Sequence, residues 1–176
     1  MRVVIRDITE ENVGDIPEPC RRCAYWEDPK VSERDEAELI KREWFKETLE
    51  TFGTCGKILY VDGRAVGYAQ YGPSGRFPNV KNYGSGPVGS VEEGVVLLTC
   101  LFISDEAFRG LGLGKRLLEA VIQELRRRGF RALETFARRG EADNPSGPME
   151  FYLRRGFHVK DETDPEFPLM RLDFTG

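Results

Sequence analysis

The pattern of apolar and polar residues along the chain predicts a mixture of strands and helices. The clearest strand is 95–103, which is apolar except for Thr99, a pattern typical of a strand buried on both faces. Apolar residues then recur at helical spacing from Leu113 to Leu125, which predicts an amphipathic helix. A glycine-rich turn, 109–114, joins the two. The middle of the chain is therefore a strand, a glycine-rich turn and a helix.

Weaker patterns predict the remaining elements. A helix is expected from Ser32 to about Phe52, and a short one between Pro148 and Gly156. Short apolar or alternating segments predict six further strands, at 2–8, 57–61, 64–71, 131–136, 157–159 and 169–174. The segment 72–94, rich in glycine and proline, is expected to be a functional loop over an acceptor site or a disordered insertion.

Composition excludes several classes of protein. The 176 residues suit one domain, 1–176, and the net charge of −4 gives no basic footprint for nucleic acid. No apolar run approaches the roughly 20 residues of a membrane span. The first residues favour a strand over a secretion signal, so we expect a cytoplasmic protein.

The four cysteines give no metal or disulfide framework. Cys20 and Cys23 have the spacing of half a zinc site, but no second pair exists, and Cys100 lies in the predicted central strand. We interpret the cysteines as reduced and structural, with a redox or metal role as the alternative, and we expect no metal. The single histidine, His158, opens a predicted strand and argues against a histidine-dependent hydrolase.

The glycine-rich turn has the chemistry of a phosphate site. Glycine lets the backbone approach a ligand closely, and a helix start presents unpaired N–H groups with a partial positive charge. A dinucleotide fingerprint would need a third glycine where Lys115 or Leu117 stands. A Walker A loop would need glycine at 109 and serine or threonine at 116, where the chain has two arginines. Both alternatives fail.

The pattern that remains, Arg-x-x-Gly-x-Gly at Arg109, Gly112 and Gly114, resembles the pyrophosphate loop of the GNAT superfamily of acetyl-CoA-dependent N-acetyltransferases. The segment 151–157 (FYLRRGF) is similar to a later Y-x-x-x-G-F element of the same family. The resemblance covers about 56–174. It implies an α/β fold with a mixed, mostly antiparallel sheet flanked by helices, whose central strands splay apart to admit the cofactor.

The resemblance also implies roles for residues of the core, 56–176. The backbone of Phe102 and Ile103 would contact the pantetheine and the reacting carbonyl, and Asn144 would lie near the cofactor. Tyr152 would protonate the departing thiolate. The pyrophosphate would be bound by the glycine-rich turn, comprising Arg109, Gly110, Leu111, Gly112, Leu113, Gly114 and Lys115.

The general base and the acceptor site are less well marked. The central strand carries no carboxylate, so Glu92 and Glu93, just before it, are the candidate bases, with Glu134 as a third. The N-terminal part, 1–55, is expected on the acceptor side. Its candidate substrate-binding residues are Tyr25, Trp26 and Glu27, the two rings having core packing as the alternative.

The sequence therefore predicts transfer of an acetyl group from acetyl-CoA to a primary amine of a small molecule, peptide or protein. The net negative charge of the chain favours a cationic acceptor. The alternatives are a non-catalytic acyl-CoA-binding module and a transferase with another acyl group or a hydroxyl acceptor. A homodimer is the family expectation.

Overall fold

A seven-stranded sheet organises residues 1–140 and 147–175, the part of the chain that the computed structural model describes. The strands are β1 (Val3–Asp7), β2 (Gly56–Val61), β3 (Arg64–Gly72), β4 (Val95–Ile103), β5 (Ala132–Phe136), β6 (His158–Asp161) and β7 (Leu169–Asp173). The α-helices are α1 (Arg34–Thr51), α2 (Leu113–Arg127) and α3 (Met149–Leu153). The strand order is β1-β2-β3-β4-β5-β7-β6, and only β4 and β5 pair in parallel among these strands. The predicted mixed, mostly antiparallel sheet flanked by helices is confirmed.

The turn between β2 and β3 follows directly from its two residues. Asp62 has a φ of 49° and Gly63 a φ of 83°. Two positive φ values in succession define a type I′ turn, which matches the twist of the strands it joins. The predicted hairpin is confirmed.

The start of α1 differs from the sequence prediction. Glu33, not Ser32, caps the helix, because its carboxylate accepts hydrogen bonds from the N–H groups of Asp35 (3.0 Å) and Glu36 (2.7 Å). One carboxylate satisfies two otherwise unpaired donors there. Ser32 stays outside the helix.

The segment 72–94 is neither a structureless loop nor a disordered insertion. It contains three short 3₁₀-helices, Ser74–Arg76, Pro78–Asn82 and Val91–Glu93. Phe77 is buried and stacks on Trp44 of α1 with 5.0 Å between ring centroids. The indole N–H of Trp44 donates to the carbonyl of Arg76 (2.7 Å). The segment is ordered because its apolar side chain packs into the core beside α1.

The sheet has an apolar core on each face. Helix α2 covers one face with Leu117, Val121 and Leu125, which are fully buried. Helix α1 covers the other face with Trp44 and Phe45. Strand β4 lies at the centre of the sheet, between both layers, which is why nearly all of its residues are apolar.

Candidate active site

A cleft of about 580 Å³ opens where the end of β4, the glycine-rich turn and α3 meet. Sequence elements far apart in the chain form its walls. The lining residues are Leu101, Phe102, Ile103, Phe108, Arg109, Gly110, Gly112, Leu113, Gly114, Lys115, Gly147, Pro148, Phe151, Arg154 and Arg155. Most of the predicted cofactor-binding residues therefore share one cavity.

The glycine-rich turn presents backbone donors to this cleft. Gly110 and Gly112 each have a φ of 78°, a left-handed conformation that other residues adopt at a cost. Helix α2 begins at Leu113, and the first N–H to bond back into the helix is that of Arg116, to the carbonyl of Gly112 (3.1 Å). Within the described residues, the N–H groups from Leu113 to Lys115 have no backbone partner. With the positive end of the helix dipole, they form a site suited to phosphate oxygens.

Arg109 ties the turn to the end of β4. Its Nε donates to the carbonyl of Ile103 (2.9 Å), and its guanidinium lies 5.2 Å from the centre of the Phe102 ring. A guanidinium over an aromatic face is attracted to it. Leu111 lies at the tip of the turn, 53% exposed, and does not line the cleft.

Strands β4 and β5 separate next to the cleft. Their parallel pairing ends at Leu98 and Thr135. On the other side of β4, Gln70 pairs with Cys100 and Tyr71 with Leu98, so Thr99 is an extra residue, a β-bulge. Within the described residues, 99–103 has no strand partner on the β5 side. Along this edge the carbonyl of Ile103 already accepts from Arg109, and, among the residues described, the other backbone groups that face β5 are free for an extended ligand.

Tyr152 lies behind the cleft with an unsatisfied hydroxyl. The residue is fully buried, and within the described residues its oxygen makes no hydrogen bond. An added Cβ at Gly147, which lines the cleft, would lie 3.2 Å from this oxygen. Burial raises the pKa of Tyr152, an effect that the hydroxyl of Thr135 opposes. That hydroxyl donates its own hydrogen to the carbonyl of Leu98 (2.9 Å). Tyr152 therefore stays protonated as a donor.

Comparison with known proteins identifies the family. The family model described as acetyltransferase (GNAT) family matches residues 16–157. The chain belongs to the GNAT family of acetyltransferases. Both predictions, of the family and of an acetyltransferase, are confirmed.

Solved structures of GNAT proteins share the fold. The yncA protein of Salmonella typhimurium, solved with its cofactor acetyl-CoA, has a TM-score of 0.66 at 17% identity, over 100% of this chain and 96% of its own. A Brucella melitensis GNAT acetyltransferase with acetyl-CoA has a TM-score of 0.60 at 19% identity, over 99% and 90%. PaiA N-acetyltransferase of Thermoplasma acidophilum, with coenzyme A, has a TM-score of 0.60 at 15% identity, over 99% and 100%. None of the curated proteins matches the chain in sequence.

Two arginines that the sequence analysis did not select also line the GNAT cleft. They are Arg154 and Arg155, which follow Tyr152 in the FYLRRGF segment. Arg155 lies over the Phe151 ring, 3.9 Å from its centre, and donates to the Phe151 carbonyl (2.9 Å). Its Nε has no hydrogen-bond partner within the described residues. Residues three and four apart lie on the same face of a helix. Arg154 and Arg155 follow Phe151, which also lines the cleft, by three and four residues, so this spacing could have identified them.

The candidate bases of this GNAT domain lie away from the cleft. Glu92 and Glu93 precede β4, whereas the cleft lies at the other end of this strand. A strand of the length of β4 spans about 26 Å from end to end. Glu93 accepts from the N–H of Ser90 (2.8 Å), which lowers the pKa of Glu93. Glu134 is fully buried and ion-paired with Lys160 (2.7 Å) and Arg171 (3.4 Å). None of the three faces the glycine-rich turn.

The three predicted acceptor residues have different surroundings. Trp26 is only 4% exposed and packs against the rings of Tyr83 (5.0 Å) and Phe136 (6.0 Å), which also contact each other (4.4 Å), so it lies in the core instead of lining an open pocket. Tyr25 is 49% exposed, and its hydroxyl lies 2.7 Å from that of Tyr83. Glu27 is buried and ion-paired with Lys41 (3.0 Å), at the edge of a cavity beside α1.

The remaining predicted features have these positions. Asn144 lies outside the described residues. In the described ranges no cluster of histidine, cysteine and carboxylate side chains could hold a metal, and no helix there is long and apolar enough to cross a membrane.

The four cysteines are free thiols. Cys20 is buried, which raises its pKa to about 12, while Cys23 of the same motif is exposed.

Proposed function

We propose that this protein transfers an acetyl group from acetyl-CoA to a primary amine of a small molecule or peptide. The observation that carries the proposal is the cleft itself. Among the described residues it brings together N–H groups from Leu113 to Lys115 that have no backbone partner and a stretch of β4, 99–103, without a strand partner on the β5 side. The hydroxyl of Tyr152, which has no hydrogen-bond partner among the same residues, lies buried behind Gly147. These are the groups that a pyrophosphate, a pantetheine chain and a departing thiolate require.

The residues of the cleft fit acetyl-CoA in order along its length. The start of α2 and Lys115 provide donors and positive charge for the pyrophosphate, and Arg154 and Arg155 add positive charge elsewhere in the lining. The free edge of β4 can hydrogen-bond the amides of the pantetheine arm, as a further strand would. Acetyl-CoA, when bound, supplies a thioester that is already reactive toward an amine.

The protein's contribution to the reaction is then positioning and proton donation. A β-bulge at Thr99 turns backbone N–H groups of β4 out of the regular ladder, where they can stabilise a developing oxyanion. Tyr152 holds its proton because its pKa is raised, so it can donate to the thiolate as this leaves. No carboxylate among the described residues lines the cleft, so we assign removal of the acceptor proton to water.

A thiol-release assay tests this function. The purified protein is incubated with acetyl-CoA and a panel of primary amines, and free coenzyme A is measured against a no-amine control. We expect release that depends on an amine and saturates with it. Tight binding of acetyl-CoA without amine-dependent release would favour the non-catalytic acyl-CoA-binding module, which the lack of a carboxylate among the described lining residues also permits. A longer acyl-CoA that reacts faster than acetyl-CoA would change the assigned donor.

A further inference from the structure

Thr99 interrupts the apolar run of β4 with a hydroxyl group that has a specific partner. The residue is only 3% exposed, and its hydroxyl donates to the backbone carbonyl of Gln70 on β3 (3.3 Å). A buried hydroxyl needs such an acceptor, whereas valine, which has the same branched shape, needs none. The packing of β4 therefore does not by itself explain a threonine at this position.

A second buried threonine bonds β4 to the strand on its other side. Thr135 of β5 donates its hydroxyl hydrogen to the carbonyl of Leu98 (2.9 Å). Leu98 and Thr135 are also the last pair before β4 and β5 separate. Thr99 and Thr135, the threonine pair, therefore join two consecutive residues of β4 to the two neighbouring strands, β3 and β5.

The β3 partner of the threonine pair is itself held by buried groups. Gln70 is fully buried, and its side-chain oxygen accepts from the hydroxyl of Tyr68 (2.9 Å) and from the ammonium of Lys41 (3.2 Å). The same oxygen accepts from the thiol of Cys100 (3.6 Å). Thr99 and Cys100 are thus bonded to the backbone and to the side chain of one well-anchored residue.

The threonine pair lies at the part of β4 that matters most for acetyl transfer. Thr99 is the extra residue of the β-bulge, and the cleft lining begins two residues later, at Leu101. A bulge disrupts the regular ladder, so bonds from side chains help to fix the direction of its N–H groups. That direction is important because an oxyanion donor acts fully only when it is already aimed at the reacting carbonyl.

From these observations we infer that Thr99 and Thr135 are positioning residues for acetyl transfer, whose hydroxyls hold β4 so that N–H groups of the bulge face the thioester carbonyl. The inference rests on the proposed function. Neither hydroxyl is itself the oxyanion donor, because each gives its hydrogen to a backbone carbonyl. In the reaction the amine nitrogen bonds to the carbonyl carbon, the carbon–sulfur bond breaks, and the thiolate takes the proton of Tyr152. The threonine pair acts on the first of these steps through the backbone of β4.

The test compares Thr99→Val and Thr135→Val with the wild type, since valine keeps the branched shape and replaces the hydroxyl with a methyl group. In the thiol-release assay we expect each variant to lower kcat at least about tenfold, while the Kd for acetyl-CoA stays within about twofold. Thr99→Ser and Thr135→Ser keep the hydroxyl and should restore most of the kcat. The control, Thr48→Val, removes a fully buried hydroxyl of α1 that accepts from Arg76 (3.3 Å), and it should keep the wild-type kcat.

A second measurement needs no turnover, namely the infrared carbonyl band of bound acetyl-CoA that is isotope-labelled at the acetyl carbonyl. A hydrogen bond to a carbonyl lowers its stretching frequency, so the band should lie lower in the wild-type complex than in free acetyl-CoA. Both valine variants should return the band toward its free position, and both serine variants should keep it low.

The outcomes separate this inference from the proposed function. Valine variants that keep the wild-type kcat and carbonyl band would overturn the inference and leave acetyl transfer standing. Valine variants that lose only affinity for acetyl-CoA would overturn it as well, because the hydroxyls would then merely hold the sheet together. Failure of the wild type to bind acetyl-CoA would instead overturn the proposed function.

Discussion

Replacing Tyr152 with phenylalanine should make the protein more stable and less active at the same time. The hydroxyl is fully buried without a hydrogen-bond partner within the described residues, and such a group costs about 1–3 kcal/mol. We take the lower end, about 1 kcal/mol, because the Thr135 hydroxyl is close enough to affect the Tyr152 pKa. The phenyl ring keeps its packing against Phe157 (5.1 Å). For a chain of 176 residues, the gain corresponds to a rise in Tm of about 2–4 °C.

The activity should change in the opposite direction. If the hydroxyl protonates the thiolate, its loss should lower kcat about a hundredfold while the Kd for acetyl-CoA changes little. Thermal and urea unfolding without ligand measure the stability, and the thiol-release assay with saturating acetyl-CoA measures kcat.

Tyr71→Phe is the matched control for this substitution. Tyr71 is equally buried, but its hydroxyl donates to Glu124 (2.7 Å), and neither residue lines the cleft. This variant should lose about 1 kcal/mol of stability and keep its kcat. If Tyr152→Phe behaved like the control, less stable and fully active, the hydroxyl would be a structural group and the reasoning would be refuted.

Four other predictions follow from the placement of particular groups. Gly112→Val should weaken acetyl-CoA binding at least about tenfold, because a positive φ at the start of α2 strains a branched residue; calorimetry measures this, and unchanged affinity would contradict it. Glu92→Gln/Glu93→Gln should leave kcat within about twofold, since both lie at the far end of β4; a large loss would restore them as bases. The acetylation rate should rise with pH as the acceptor amine loses its proton. Because the pKa of Tyr152 is raised, the rate should not begin to decline below about pH 10. A rate that falls near neutral pH would exclude Tyr152 as the general acid. In the native protein a thiol reagent should label Cys23 quickly and the three buried cysteines slowly, and fast labelling of more than one thiol would contradict their burial. Those three are Cys20, Cys55 and Cys100.

The elements with strong local signals were predictable from the sequence. Strand β4 and helix α2 are marked by a long apolar run and a long helical repeat, and the hairpin by Asp62 and Gly63, whose conformations a two-residue turn requires. The glycine-rich turn was located because its chemistry depends on backbone N–H groups that follow from position alone.

Features that depend on distant partners were not predictable. A tryptophan such as Trp26 suits a binding pocket and a protein core equally well. Only the fold shows that the rings of Tyr83 and Phe136 stack on it. The same holds for Glu27, whose partner Lys41 lies on α1. The placement of Glu92 and Glu93 could have been derived, because the rise along a strand already separates its two ends.

Calorimetric titration of the protein with acetyl-CoA tests the central claim most directly. We expect saturable binding with one site per chain, which weakens in Gly112→Val while that variant's unfolding transition remains cooperative. Saturable binding would establish that the cleft formed by β4, the glycine-rich turn and α3 is a cofactor site. Absence of binding by the folded wild-type protein would mean that the glycine-rich turn only joins a strand to a helix, and the proposed function would be wrong.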